Sequence, residues 1–162
     1  MSLEEVSSKV HSGDPGTKPL SYYRRYDSFL EHHNVEPRNI LEIGTFQGES
    51  TRVLAAAFPL AKIVTVDIED RLPDFSDLPM VTSLVGDQTD RAFLEEMLHK
   101  EFPDGLDLVI DDASHLGIAS MKSFNYVVPF LKSGGAYMVE DWGTGYWPSF
   151  PDGGRLSPTL SG

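Results

Sequence analysis

The stretch Ile40-Leu41-Glu42-Ile43-Gly44-Thr45-Phe46-Gln47-Gly48-Glu49-Ser50 constrains this chain more than any other. An apolar run carrying one acid leads into two glycines that flank a tight turn, and the turn opens a helix. Such a run is buried as a strand, and glycines let backbone approach a ligand closely. The helix N-terminus then offers unpaired N–H groups to that ligand. The spacing is Gly-x-x-x-Gly, not the Gly-x-Gly-x-x-Gly of a dinucleotide turn. Taken alone, the glycine pair describes a turn needing small residues as well as it describes a binding loop.

On either side of this turn, strands and helices alternate along the chain. Residues Met1 to Lys18 are polar and include Gly13, Pro15 and Gly16, so they read as a flexible lead-in (1–18) to a domain over 19–154. Tyr22, Tyr23, Tyr26, Phe29 and Leu30 recur at helical spacing from Pro19 to about Asn34. That helix is expected to cover a sheet rather than to touch a ligand. Glu49 to Phe58 is a second helix, ended by Pro59. Ala61 to Val66 is a β-branched strand closing on Asp67. Val81 to Val85 is the third strand, succeeded by Gly86-Asp87-Gln88-Thr89-Asp90, in which Thr89 or Asp90 can cap a helix facing the sheet through Phe93, Leu94, Met97 and Leu98.

Leu106 to Ile110 is the fourth strand and runs into Asp111-Asp112-Ala113-Ser114-His115. The next helix spans Gly117 to about Pro129. Gly134-Gly135 turns the chain into a fifth strand, Ala136 to Val139, which ends in Glu140-Asp141-Trp142. The alternation specifies an α/β fold, a Rossmann-like doubly wound parallel sheet with its ligands at the carboxyl ends of the strands. Residues 155–162 read as a flexible tail.

Composition narrows the partners. The chain has 162 residues, 40% of them hydrophobic, which suits one buried core. Thirteen Lys+Arg against 25 Asp+Glu give a formal net charge of −12, a field that repels phosphate backbones and argues against nucleic acid. The absence of cysteine excludes disulfides and thiolate chemistry and fits a cytoplasmic setting. No apolar run is long enough to span a bilayer, and no signal-peptide pattern opens the chain.

Three acids fall at strand ends. Neighbouring strands lie about 4.8 Å apart, so Asp112 and the Glu140-Asp141 pair converge if the fourth and fifth strands are adjacent. Carboxylates that close repel one another unless a cation joins them. Hard oxygen donors select Mg²⁺, Mn²⁺ or Ca²⁺ over zinc. His115, three residues past Asp112, stands where a base beside such a metal would stand. In a nucleoside-binding α/β domain, Asp67 would accept hydrogen bonds from ribose hydroxyls.

Glu42-x-Gly44-x-x-x-Gly48 with Asp67 at the next strand end resembles the class I methyltransferases, which bind S-adenosylmethionine (SAM). That resemblance implies cofactor contacts from Glu42, Gly44, Thr45, Gly48, Ser50 and Asp67. Asp87 and Gln88 stand at its adenine side, although Asp87 serves nearly as well as a cap, and Asp111 is expected among the cofactor contacts. The run Asp111 to His115, together with Val139-Glu140-Asp141-Trp142-Gly143-Thr144-Gly145-Tyr146-Trp147-Pro148, is similar to the metal-dependent sugar O-methyltransferases of macrolide antibiotic biosynthesis. This second resemblance covers roughly residues 17–154 and implies Mg²⁺ (or Mn²⁺) on Asp112, Glu140 and Asp141. It also implies His115 as the base that deprotonates a hydroxyl of a small-molecule acceptor such as a sugar. Cephalosporin hydroxylase-like proteins are similar in the same regions. An oxidising or hydroxylating relative, or a non-catalytic SAM- or metal-binding domain, are therefore the competing expectations.

In one respect the chain departs from class I methyltransferases. They carry two further strands after the fifth, whereas residues 143–162 show no strand pattern. The fifth strand is then expected to be an edge open to pairing with another chain, a route to homo-oligomers.

Overall fold

Apolar runs such as Ile40-Leu41, Ile63-Val64 and Leu108-Val109-Ile110 stay dry only if both faces of their sheet are covered. The computed structural model describes residues 1–10 and 18–153 and has that arrangement. Five parallel strands, β1 (Asn39–Ile43), β2 (Lys62–Asp67), β3 (Val81–Val85), β4 (Leu106–Asp111) and β5 (Leu131–Val139), lie in the order β3-β2-β1-β4-β5. Helices α1 (Leu3–Val10), α2 (Leu20–His32) and α3 (Glu49–Ala57) cover one face, while α4 (Arg91–Glu101) and α5 (Gly117–Val127) cover the other.

Side-chain direction alternates along each strand. Ile40, Ile63, Leu108 and Ile110 pack with Leu3, Val6, Tyr23, Tyr26, Leu30 and Leu54 under α1–α3. Leu41, Ile43, Val64, Val66 and Val109 pack with Leu94, Met97, Leu98, Phe102 and Val127 under α4 and α5. This parity decides the fate of the strand-end acids.

The lower edge of the sheet is tied by Asp107. Its Oδ2 accepts from the Arg38 and Asn39 N–H groups at 2.9 Å each, and Lys132 Nζ lies 2.9 Å from its Oδ1. Burial raises the Asp107 carboxyl, but Lys132 and the two N–H donors outweigh it and hold the group below the usual carboxylate range.

The first residues differ from expectation. Leu3–Val10 is a helix, not a flexible lead-in, and it buries Leu3, Val6 and Ser7. Ser2 and Glu5 cap one another, Glu5 N donating to Ser2 Oγ at 3.1 Å and Ser2 N to Glu5 Oε2 at 3.2 Å. Asp27 of α2 accepts the next two N–H groups, from Leu3 and Glu4, at 2.8 and 2.9 Å. The Ser2-Leu3-Glu4-Glu5 capping box was the sequence signal. The rest of the expected lead-in, residues 11–17, and the expected tail, 155–162, lie outside the described residues.

Beyond α5, a short 3₁₀ turn (Val128–Phe130) leads directly into β5, which begins five residues earlier than its apolar core suggests. Leu106 pairs with Leu131 and Leu108 with Ala136, so Lys132 to Gly135 bulge out before regular pairing resumes. β3 and β5 are the edges among the described residues.

Candidate active site

Two cavities open side by side at the carboxyl ends of the strands. The larger, about 490 Å³, is walled by the Gly44–Ser50 turn, Lys18 and Tyr22, and by Asp112, His115, Glu140 and Asp141. The second, about 370 Å³, lies between Gly44, Asp67, Asp87, Gln88 and Leu116. They share Gly44, Phe46, Asp112 and Ala113.

The glycine turn is as tight as its sequence implies. Gly44 has φ +102°, and an added Cβ would lie 2.7 Å from the Asp112 carbonyl carbon and nearer still to its oxygen. Gly48, at φ +75°, starts α3 in the left-handed region. Asp67 Oδ2 accepts from the Thr45 and Phe46 N–H groups at 2.8 Å each, which fixes the turn against the end of β2. Its Oδ1 accepts from Glu69 N at 3.0 Å, and the residue lines the second cavity.

Four described non-glycine residues have positive φ: Asn34, Phe46, His115 and Asp141. The last three all wall the larger cavity. Side chains in that region are held against a local cost of about 1–2 kcal/mol each, so surrounding contacts must impose the conformation. For His115 one such contact is visible. Thr144, buried in the turn Trp142–Tyr146 after β5, donates its hydroxyl to the His115 carbonyl.

Asp112, His115 and Asp141 form the cluster, with ligand atoms within 4.8 Å of one another. His115 Nε2 is 3.0 Å from Asp112 Oδ1 and 3.8 Å from Asp141 Oδ2. The bond to Asp112 favours the imidazolium and raises the His115 pKa against partial burial. Tyr22 donates to Asp141 Oδ1 at 2.7 Å, and that bond pushes the phenol up to about 12, so it remains a donor.

Glu140 is placed apart from the cluster. It is 6% exposed and accepts from Lys18 Nζ and from the Tyr26 hydroxyl. Lys18 Nζ also lies 3.2 Å from Asp112 Oδ2. Burial pushes Glu140 upward, with the Lys18 charge opposing it. Burial alone would lower Lys18, yet Glu140, Asp112 and Glu42 together raise it.

Two of the expected cofactor residues do not reach either cavity. Glu42 is fully buried and accepts from the Ser50, Thr51 and Thr65 hydroxyls, so it anchors the start of α3 to β1 and β2. Asp111 is buried on the opposite face, where it accepts from Ser123, from Tyr137 at 3.1 Å and from Gln88 Nε2 at 3.2 Å. Parity explains both: Glu42 shares a face with Ile40, and Asp111 with Val109. Gln88 is 6% exposed, and its amide is spent on Asp111, Ser123 and Ser114 N, so it shapes the second cavity's wall. Asp87 is exposed at the same cavity and accepts from Thr89 N at 2.7 Å, the cap alternative, while Asp90 caps α4. Thr45 presents its backbone, its hydroxyl bonding to that of Thr65, and Ser50 walls the larger cavity while donating to Glu42.

Lys18, Tyr22, Tyr26 and Thr144 were not expected at this site. The α2 tyrosines do cover the sheet, and they also reach its acids. A tyrosine at each of positions 22 and 26, one helical turn apart, was the available signal.

Comparison with known proteins accords with this geometry. Residues 41–142 match a methyltransferase domain family. The chain is similar to the mycinamicin VI 2''-O-methyltransferase of Micromonospora griseorubida, at 33% identity over 164 residues covering 96% of this chain and 39% of that protein. It is also similar to the demethylmacrocin O-methyltransferase of Streptomyces fradiae, at 36% identity over 147 residues covering 86% of this chain and 35% of that protein. The chain thus spans less than half the length of these relatives. Among solved structures, the MycE methyltransferase from the mycinamycin biosynthetic pathway, in complex with Mg and SAH, aligns with a TM-score of 0.76 at 30% identity. That alignment covers 98% of this chain and 44% of the other. The O-methyltransferase TomG from Streptomyces achromogenes, 23% identical with a TM-score of 0.59 over 93% of this chain and 71% of that one, shares the fold.

Proposed function

This chain belongs to the methyltransferase domain family, and on that premise we propose that it carries out SAM-dependent, divalent-metal-assisted O-methylation of a hydroxyl on a small molecule such as a sugar. The observation that carries the reading is the shared wall of the two cavities. The glycine turn that would cradle a nucleoside and the Asp112–His115–Asp141 cluster that would take an acceptor hydroxyl meet at Gly44 and Asp112.

The residues present fit both groups. Backbone at Gly44 approaches the cavity where no Cβ has room, and Asp67 stands at the wall for ribose hydroxyls. The carboxylates of Asp112 and Asp141 are hard oxygen donors that suit Mg²⁺ or Mn²⁺, and no thiolate stands beside them. Asp112 and Asp141 would hold the metal, and Glu140 is a third ligand if it exchanges its lysine partner. When bound, the metal supplies Lewis acidity to an acceptor oxygen, and SAM supplies the methyl group.

The chain's own residues supply the rest. His115 Nε2 is held by Asp112 Oδ1 at 3.0 Å; freed when that carboxylate turns to a metal, the same nitrogen would receive the hydroxyl proton. Asp112 orients that imidazole and favours its protonated form, and Thr144 holds its backbone. Tyr22 fixes Asp141 in place. Phe46, 67% exposed at the junction of the cavities, is positioned to separate nucleoside from acceptor and to exclude water once both are bound. Positioning of this kind can supply much of the acceleration.

The test is titration calorimetry with SAM, then incubation with methyl-labelled SAM, Mg²⁺ and glycosylated acceptors. Binding with Mg²⁺-dependent transfer of label to a hydroxyl is expected. Binding without transfer to any acceptor would favour a non-catalytic domain, and a hydroxylated product without label would favour a hydroxylase-like enzyme.

A further inference from the structure

The proposed reaction leaves Lys18 without a task, although it is the most deeply buried cation in the described ion pairs. Its side chain is 8% exposed, whereas every other lysine or arginine in those pairs is at least 35% exposed. We propose that Lys18 is a tethered counter-cation that occupies the acid cluster while metal is absent and is displaced when metal enters. The inference rests on the reading of Asp112, Asp141 and Glu140 as metal ligands.

The geometry is competitive. Lys18 Nζ bridges Asp112 Oδ2, at 3.2 Å, and Glu140 Oε1, while His115 takes Asp112 Oδ1. Both oxygens of Asp112 are therefore committed before any ion arrives. Glu140 Oε1 also receives the Tyr26 hydroxyl, and Lys18 Nζ sits 5.9 Å from the centre of that ring. Without a cation, Asp112 would face Glu140 on one side and Asp141 on the other as like charges, and an ammonium relieves the first repulsion. A divalent ion brings twice the charge to the same carboxylates and repels the ammonium in turn.

Lysine suits this exchange and arginine does not. Its compact ammonium rides on a flexible four-carbon stem, with three donors that can be redirected. Lys18 precedes Pro19, the residue that caps α2, and it walls the cavity. Its head can therefore leave the acids for the cavity without moving α2. Metal affinity would then be set by an internal competitor as well as by the ligands.

The probe is Mn²⁺, tracked through the electron paramagnetic resonance signal of the free ion, with wild type and Lys18→Met compared at one ionic strength. Loss of the competitor should tighten Mn²⁺ binding by about 5–150-fold, the range of typical couplings between two binding events. Equal or weaker binding by Lys18→Met would overturn the proposal, since Lys18 would then be indifferent or a fixed support of the loaded site. If neither protein binds Mn²⁺, the metal reading itself fails and the inference falls with it. A second measurement needs no variant and decides if Lys18→Met does not fold. Reductive methylation of the wild type, read at Lys18 by mass spectrometry, should rise when Mg²⁺ is added. Unchanged labelling at a Mg²⁺ concentration that shifts the melting temperature would also overturn it.

Discussion

Gly44→Ala drives a methyl group into backbone that leaves no room for it. The φ of +102° is open to glycine and strained for alanine. Holding a side chain in so sparsely populated a region costs about 1–3 kcal/mol. The new Cβ would also sit 2.7 Å from the Asp112 carbonyl carbon and 3.0 Å from Ala113 Cα, both backbone atoms that cannot rotate away. Forcing them apart adds about 1–3 kcal/mol, the usual range for overpacking. The sum, about 2–6 kcal/mol, is a large share of a total stability of about 5–15 kcal/mol. With a urea slope near 2 kcal/mol/M, the midpoint should fall by about 1–3 M. Gly143→Ala is the control, since a Cβ there meets nothing within 4 Å and its φ is unremarkable. It should stay within about 0.5 kcal/mol of wild type. Because the displaced atoms belong to the shared cavity wall, the Gly44 variant should also bind SAM more weakly by calorimetry. A midpoint within about 0.2 M of wild type together with unchanged SAM affinity would refute the close-approach argument.

The same geometry sets three further outcomes. Glu42→Ala strands the Ser50 and Thr51 hydroxyls and should destabilise the fold by about 2–5 kcal/mol in thermal melts, whereas Glu42→Gln should cost less; a folded Glu42→Gln that cannot bind SAM would restore Glu42 to direct cofactor contact. His115→Ala should lose about 10²–10⁴-fold in label transfer and keep its SAM affinity; lost stability with full turnover per folded molecule would leave it a purely structural residue. Asp107, whose folded pKa lies below its unfolded value of about 3.9, contributes stability that is complete above that value and is lost as the pH falls toward the lowered one. Asp107→Asn should therefore be less stable near neutrality and show a shallower acid limb in urea melts between about pH 5 and 2, and parallel limbs would refute the linkage.

The sheet was legible because its signals are local. Apolar runs broken by glycines and prolines marked the strands to within a residue or two, except at β5, where Leu131 pairs ahead of a bulge that no short-range pattern reveals. The acids were legible as residues at strand ends but not as directions. Asp111 and Asp112 are neighbours, yet one is buried under α5 and the other walls the cavity, because successive side chains on a strand point to opposite faces. The same alternation turns Glu42 inward beneath α3. Glu42 shares its parity with Ile40 and Asp111 with Val109, and that alternation was the available signal. Lys18 was illegible for another reason. Its partners Asp112 and Glu140 lie 94 and 122 residues further along the chain, and no local pattern announces an ion pair across that distance.

The central place of β1 also has a consequence for how the chain is made. β2 comes after β1 with a single helix between them, so β1–α3–β2 is a local unit that can close soon after it leaves the ribosome. The other flank waits for β4, whose Asp111 pairs with Ile43 from 68 residues further on. At about 5–20 residues per second, that interval is about 3–14 s, and closing so distant a pairing is slower than any local step. During it the nascent chain carries its glycine turn with one edge of β1 unpaired, with the floor beneath Gly44 still to be synthesised.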